Sequence, residues 1–200
     1  MNNINRVSRR TLVLVVLALF LATTTQAYHT GIGGDSDGEG DVALAGCTCH
    51  AEEPDNSVTV VLNDVPFHYE AGKSYAMTLQ LIGGAEIGGA QTGGFSMRVT
   101  QGILSAGIGS ESHVENWEDE ENTLTHTNSG SKTEDRTWHL IWTAPESGNG
   151  PVNFWIAGNT VNGDEIPSAL DRWNRLTVTL DEGVDNGKTR MVFSGNGEIE

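Results

Sequence analysis

The stretch from Arg136 to Asn162 constrains the chain more than any other, because two runs of strand periodicity stand on either side of a single break. Trp138, Leu140 and Trp142 alternate with His139, Ile141 and Thr143, and Val152, Phe154 and Ile156 repeat the pattern. A period of two places every second side chain on one face, so each run reads as a strand with one face in a core. Between them, Ala144 to Pro151 holds two prolines and two glycines, residues that interrupt a ladder and set turn dihedrals. The expectation is a β-hairpin or the corner of a sandwich.

Further strands are predicted at Val58–Leu62, Ser74–Ile82, Phe95–Thr100, Leu124–Thr127, Leu176–Leu180 and Thr189–Phe193. Gly83 to Gly94 contains six glycines and reads as a flexible surface loop, and Gly102 to Ser112 as irregular chain. Glu115 to Asn122 packs five carboxylates around Trp117, the composition of a solvated loop, with cation or partner binding as the alternative. Seven or eight short strands with almost no helical periodicity describe an all-β fold: a single antiparallel immunoglobulin-like β-sandwich. Trp138, Trp142 and Trp155 then serve core and rim packing rather than a carbohydrate platform.

The N-terminus carries a different signal. Arg6, Arg9 and Arg10 precede an apolar run from Leu12 to Ala22, and Thr25-Gln26-Ala27 offers small residues for cleavage, so residues 1–27 read as a signal peptide. The apolar run is shorter than the roughly 20 residues a spanning helix needs. Membrane contact is then expected only through an uncleaved leader or a partner. The order of units is residues 28–46 as a flexible glycine- and aspartate-rich arm, 47–181 as the sandwich, and 182–200 as a strand or tail. Loss of the leader arginines takes the formal charge from -16 to -19. Nucleic acid is excluded as a partner, because phosphate binding needs clustered cations.

In the arm, Asp35, Asp37, Glu39 and Asp41 stand at alternate positions with Gly40 sixth, like the front of a calcium loop. Gly46 occupies the twelfth position, where a bidentate glutamate belongs, so calcium competes there with a plain solvated arm. Two cysteines, Cys47 and Cys49, are too few for a disulfide scaffold. No nucleophile elbow, zincin helix or phosphate loop occurs, and the neighbours of His113, His126 and His139 are those that an acidic, serine-rich composition supplies.

Five segments in order carry a resemblance: Gly94-Phe-Ser-Met-Arg-Val99, Leu124-Thr-His-Thr127, Trp142-Thr-Ala-Pro145, Pro151-Val-Asn-Phe154 and Ala157-Gly-Asn-Thr-Val-Asn-Gly163. Together they resemble the Reeler domain, the module at the N-terminus of reelin, in its prokaryotic surface-protein version, over roughly Gly46 to Leu180. The resemblance implies an extracellular, non-enzymatic sandwich. It also implies a glycine-rich segment ending in Cys-x-x-Cys-His before the first strand, where this chain has Cys47-Thr48-Cys49-His50, one residue shorter.

That segment admits four readings. In Cys-x-x-Cys-His two thiols form thioethers with haem vinyl groups and the imidazole takes the iron. Here two sulfurs would have to span the same porphyrin edge from a shorter arc, with His126, or behind it Met97, as the second axial ligand. Alternatively Cys47, Cys49 and His50 hold copper or zinc, completed by His126 or His29. A strained, redox-labile Cys47–Cys49 disulfide is the third reading, and a simple tie between arm and sandwich the fourth. Two functions follow: a secreted or cell-surface module binding an extracellular protein or glycan, or an exported redox or electron-transfer protein holding c-type haem or a soft metal.

Overall fold

The computed structural model describes residues 29–33, 42–168, 170–195 and 197–199. The leader and the calcium candidates Asp35, Asp37, Glu39 and Asp41 lie outside the described residues. The elements are a short helix α1 (Val42–Ala45) and the strands β1 (Val58–Pro66), β2 (His68–Tyr69), β3 (Ser74–Gly83), β4 (Gly93–Val99), β5 (Ile103–Ala106), β6 (Val114–Glu115), β7 (Thr123–His126), β8 (Thr137–Thr143), β9 (Val152–Thr160), β10 (Arg172–Glu182), β11 (Thr189–Phe193) and β12 (Gly197–Ile199).

The break at Ala144 to Pro151 is a sandwich corner. β8 pairs with β3 and β5, whereas β9 pairs with β10 and β4, so the chain leaves one sheet and enters the other at the turn. One sheet runs β12-β11-β1-β3-β8-β5 and the other β2-β10-β9-β4-β7-β6. Pairing is antiparallel except where β2 lies parallel to the end of β10, Asp181 opposite His68 and Glu182 opposite Tyr69. The immunoglobulin-like expectation holds, with more strands than the alternation predicts.

The alternating residues meet between the sheets. Trp142 packs edge-on against Tyr69 and Phe154, with centroids 5.4 and 4.9 Å away, and stacks on Tyr75 at 5.8 Å. Trp138 lies 5.0 Å from Phe95. Both indoles are fully buried, and each N–H finds a carbonyl, Trp138 at Gly130 and Trp142 at Gln101, which removes the penalty of burying a polar group. Trp155 is only half-buried, as a rim residue should be.

Two segments depart from expectation. The glycine-rich connection after β3 is clamped rather than loose: Arg136, 6 % exposed, donates to the carbonyls of Gly83, Ala85 and Thr92 at 2.6, 2.7 and 2.8 Å. Burial lowers the pKa of this guanidinium, and the three carbonyls supply the acceptors that a buried cation requires. The described parts of the arm also pack on the sandwich. The Ile32 N–H donates to Thr125 Oγ1 at 3.1 Å, Ala43 is buried, and Gly31 and Gly33 lie inside the surface. Within the stretch read as irregular, Ile103–Ala106 adds to β8 as an edge strand.

Candidate functional site

Asp171 and the first two residues of β10 fasten the Cys-Thr-Cys-His segment and the chain just after it to the sandwich. Asp171 Oδ2 lies 2.7 Å from His50 Nδ1, Arg172 Nε lies 2.8 Å from Asp55 Oδ2, and Trp173 Nε1 donates to the Ala51 carbonyl at 2.7 Å. The carbonyl of Trp173 in turn accepts the Asp55 N–H at 2.7 Å. Upstream, the Gly46 N–H bonds the Val42 carbonyl and closes α1 at φ +98°, a conformation that glycine adopts without penalty. A Cβ at Gly46 would stand 2.2 Å from the Trp173 ring, so the backbone passes directly over the indole.

The segment itself turns tightly, with the His50 N–H on the Cys47 carbonyl at 3.0 Å. Both cysteines are free thiols in different settings. Cys47 is half-buried, and burial first, then the neighbouring Cys49, pushes its thiol up to about 12. Cys49 is exposed. Since the thiolate is the reactive form, Cys47 is held inert where it sits.

Asp171 is 1 % exposed and accepts the backbone N–H groups of Asn162 at 3.2 Å and Ser168 at 3.1 Å besides its contact with His50. An ionised carboxylate only accepts, so Nδ1 of His50 is the donor. In the neutral ring Nε2 is then the acceptor, the arrangement found in histidines that ligate metals. The sequence gives no sign of this pair, since Asp171 is one acid among 27 and lies 121 residues from His50.

These groups line one side of an open cleft of about 540 Å³ at the end of the sandwich. His29, Cys47, Cys49, His50 and His126 all line it, so five residues singled out by chemistry share one space. His126 closes β7, is buried, and engages the Phe95 backbone through Nδ1, 3.0 Å from its nitrogen and 3.1 Å from its oxygen. The ring rests on Gly94, where a Cβ would lie 2.3 Å from Cε1, so the glycine is the floor of the imidazole. Met97, the second candidate ligand, is fully buried in the core instead.

The rest of the lining is mixed. Ile32, Phe95, Val161 and Ile166 are apolar and Lys132 is cationic. Gln91 Oε1 and Asn159 Oδ1 are buried there without a hydrogen-bond partner, and Asn159 is only 7 % exposed. Among the described residues no three of histidine, cysteine, aspartate and glutamate gather as a group that could hold a metal ion. The copper or zinc shell expected from Cys47, Cys49 and His50 with His126 or His29 is therefore not assembled; these residues are distributed around walls. Also among the described residues, no helix is long and apolar enough to cross a membrane.

No family model matches the chain, and no curated protein does. Among solved structures it is similar to the Reelin-N domain of F-spondin, at 17 % identity and TM-score 0.43, over 66 % of this chain and 90 % of that one. The human F-spondin reeler domain gives the same identity and TM-score over 92 % of its length. A conjugative transposon lipoprotein from Bacteroides eggerthii is similar at 15 % identity and TM-score 0.35, over 63 % of this chain and 98 % of that one.

Proposed function

We propose that this chain is an exported, surface-facing binding module, and that its ligand occupies the cleft where the Cys-Thr-Cys-His segment meets the start of β10. The leader at residues 1–27 and the acidic composition support export to an aqueous surface. A single observation carries the assignment of the site: separate parts of the chain deliver His29, the Cys47–His50 turn and His126 to one open space of about 540 Å³. Ligand pockets have this size, with mainly apolar walls and a few convergent polar groups. Gln91 and Asn159 supply acceptors there that no donor among the described residues uses. An extracellular protein or glycan reaching into the cleft remains the partner class for the sandwich as a whole.

The test is to express the full chain with its leader in an exporting host. The expected product is recovered outside the cytoplasm with Tyr28 at its N-terminus. Its mass under native conditions, or its denatured mass, exceeds that of residues 28–200. Recovery inside the cell beginning at Met1 overturns export, and a bare-chain mass in both measurements overturns an occupied cleft.

A further inference from the structure

We propose that the occupant of the cleft is a haem joined to the protein by one thioether at Cys49, with Nε2 of His50 as iron ligand and Asp171 as the residue that orients that ring. This inference rests on the reading of the cleft as a ligand site and names its ligand.

Spacing distinguishes one thioether from two. Two thioethers require two sulfurs at a fixed separation along one porphyrin edge, and Cys47-Thr48-Cys49 is a residue too short for the usual arc. A single thioether makes no such demand. It needs only a cysteine directly before the ligating histidine, which Cys49 and His50 provide. The structure separates the two cysteines in the same sense. Cys49 is exposed at the cleft, whereas Cys47 is half-buried.

Attachment is an addition that balances by itself. The Cys49 Sγ–H adds across one haem vinyl group: sulfur bonds the α-carbon, the hydrogen goes to the β-carbon, and no electron or leaving group is released. The only co-reactant is a haem with an unreacted vinyl group.

The second observation is the His50–Asp171 couple. A ligating imidazole almost always donates its other N–H to a carboxylate or carbonyl, which fixes the tautomer and the plane of the ring. His50 meets this condition at 2.7 Å, to a carboxylate that two backbone N–H groups already hold in place. The third is the shape of the space. Its lining offers Ile32, Val161 and Ile166 as apolar surface, with Lys132 as a cation for a propionate and the carboxylates of Asp164 and Glu165 also on the walls. A macrocycle fills such a cleft, while a bare ion would need its ligands drawn to one point.

The experiment uses the full chain with its leader, expressed in a host with c-type haem maturation machinery. The expected denatured intact mass is that of residues 28–200 plus one haem, with one alkylatable thiol remaining. Cys49→Ser is expected to lose the addition, and Cys47→Ser to keep it. Asp171→Asn is expected to keep the covalent haem, with its Soret band retained and its midpoint potential raised, since a negative charge is lost behind the ligand. That potential is a readout that a purely structural role for Asp171 would leave unmoved.

A haem-bearing chain with no alkylatable thiol overturns the assignment to Cys49, as does haem that survives Cys49→Ser. A potential unchanged in Asp171→Asn overturns the orienting role. An occupant other than haem, including copper or zinc, overturns this inference and leaves the cleft as a binding site. A bare chain overturns both.

Discussion

Arg136 shows how much of this structure one side chain can organise. Its guanidinium gathers three carbonyls from the connection between β3 and β4 while its own backbone sits at φ +51°, outside the usual range for a non-glycine residue. Arg136→Met leaves those carbonyls unpaired, and the expected loss is about 3 kcal/mol in equilibrium urea unfolding. Gly46→Ala is expected to cost about 3 kcal/mol as well, from backbone strain and a methyl driven into Trp173. Unchanged urea midpoints would refute either account. At this scale the sequence is legible only where residue type announces chemistry. Cys47, Cys49, His50 and His126 are visible for that reason and do share a cleft. Asp171 and Arg136 are not, because their roles come from partners far away in the chain.

Among the elements, long strands with one buried face are readable because alternation over seven or more residues has no competing explanation; β3, β8 and β10 are examples. β2, β5, β6 and β12 have two to four residues each, too few to establish a period, and exist because an edge was there to pair with. The Ala144–Pro151 break left hairpin and corner open, since both use the same turn residues. Glu182 at the far end of β10 is one of the groups that hold the corner, accepting the Ser147 hydroxyl at 2.6 Å and the Gly148 N–H at 2.9 Å.

Those bonds, the hydroxyl first, hold the Glu182 carboxyl below its ordinary 4.5. Asp185 is held below 3.8, first by the Lys73 ammonium and then by the Gly187 N–H, and Asp55 likewise by its bonds to Ser57. A carboxyl with a lowered folded-state pKa binds fewer protons than in the unfolded chain. Its stabilisation is therefore present above the ordinary range and lost as pH falls through it. The urea midpoint is expected to be level at neutral pH and to fall from about pH 5 downward, with a shallower fall in Glu182→Gln. A midpoint that rises on acidification would contradict this.

At the scale of the whole molecule, 27 carboxylates face 11 lysines and arginines, and three of those cations stand within residues 1–27. Self-repulsion of that size opposes compaction, and salt relieves it as the Debye length contracts from ~30 Å at 0.01 M to ~8 Å at 0.15 M. The melting temperature of the chain is expected to rise over that interval of sodium chloride, and a fall would mean that ion pairs such as Arg172–Asp55 outweigh the repulsion. The sandwich is legible at this scale because strand periodicity and turn residues agree along the chain. The cleft is not, because no local pattern records that residues 29, 50, 126 and 171 line one space.

The bond between His50 and Asp171 also sets an order of events. It spans 121 residues, and at synthesis rates of 5–20 residues per second the partner follows its histidine by roughly 6 to 24 s. Throughout that interval Cys47 and Cys49 belong to an open chain, equally reachable by any enzyme or oxidant that meets them. Until Asp171 arrives its bond to His50 cannot form, so any enzyme or oxidant that acts on the growing chain meets the cysteines before their neighbouring histidine is fixed.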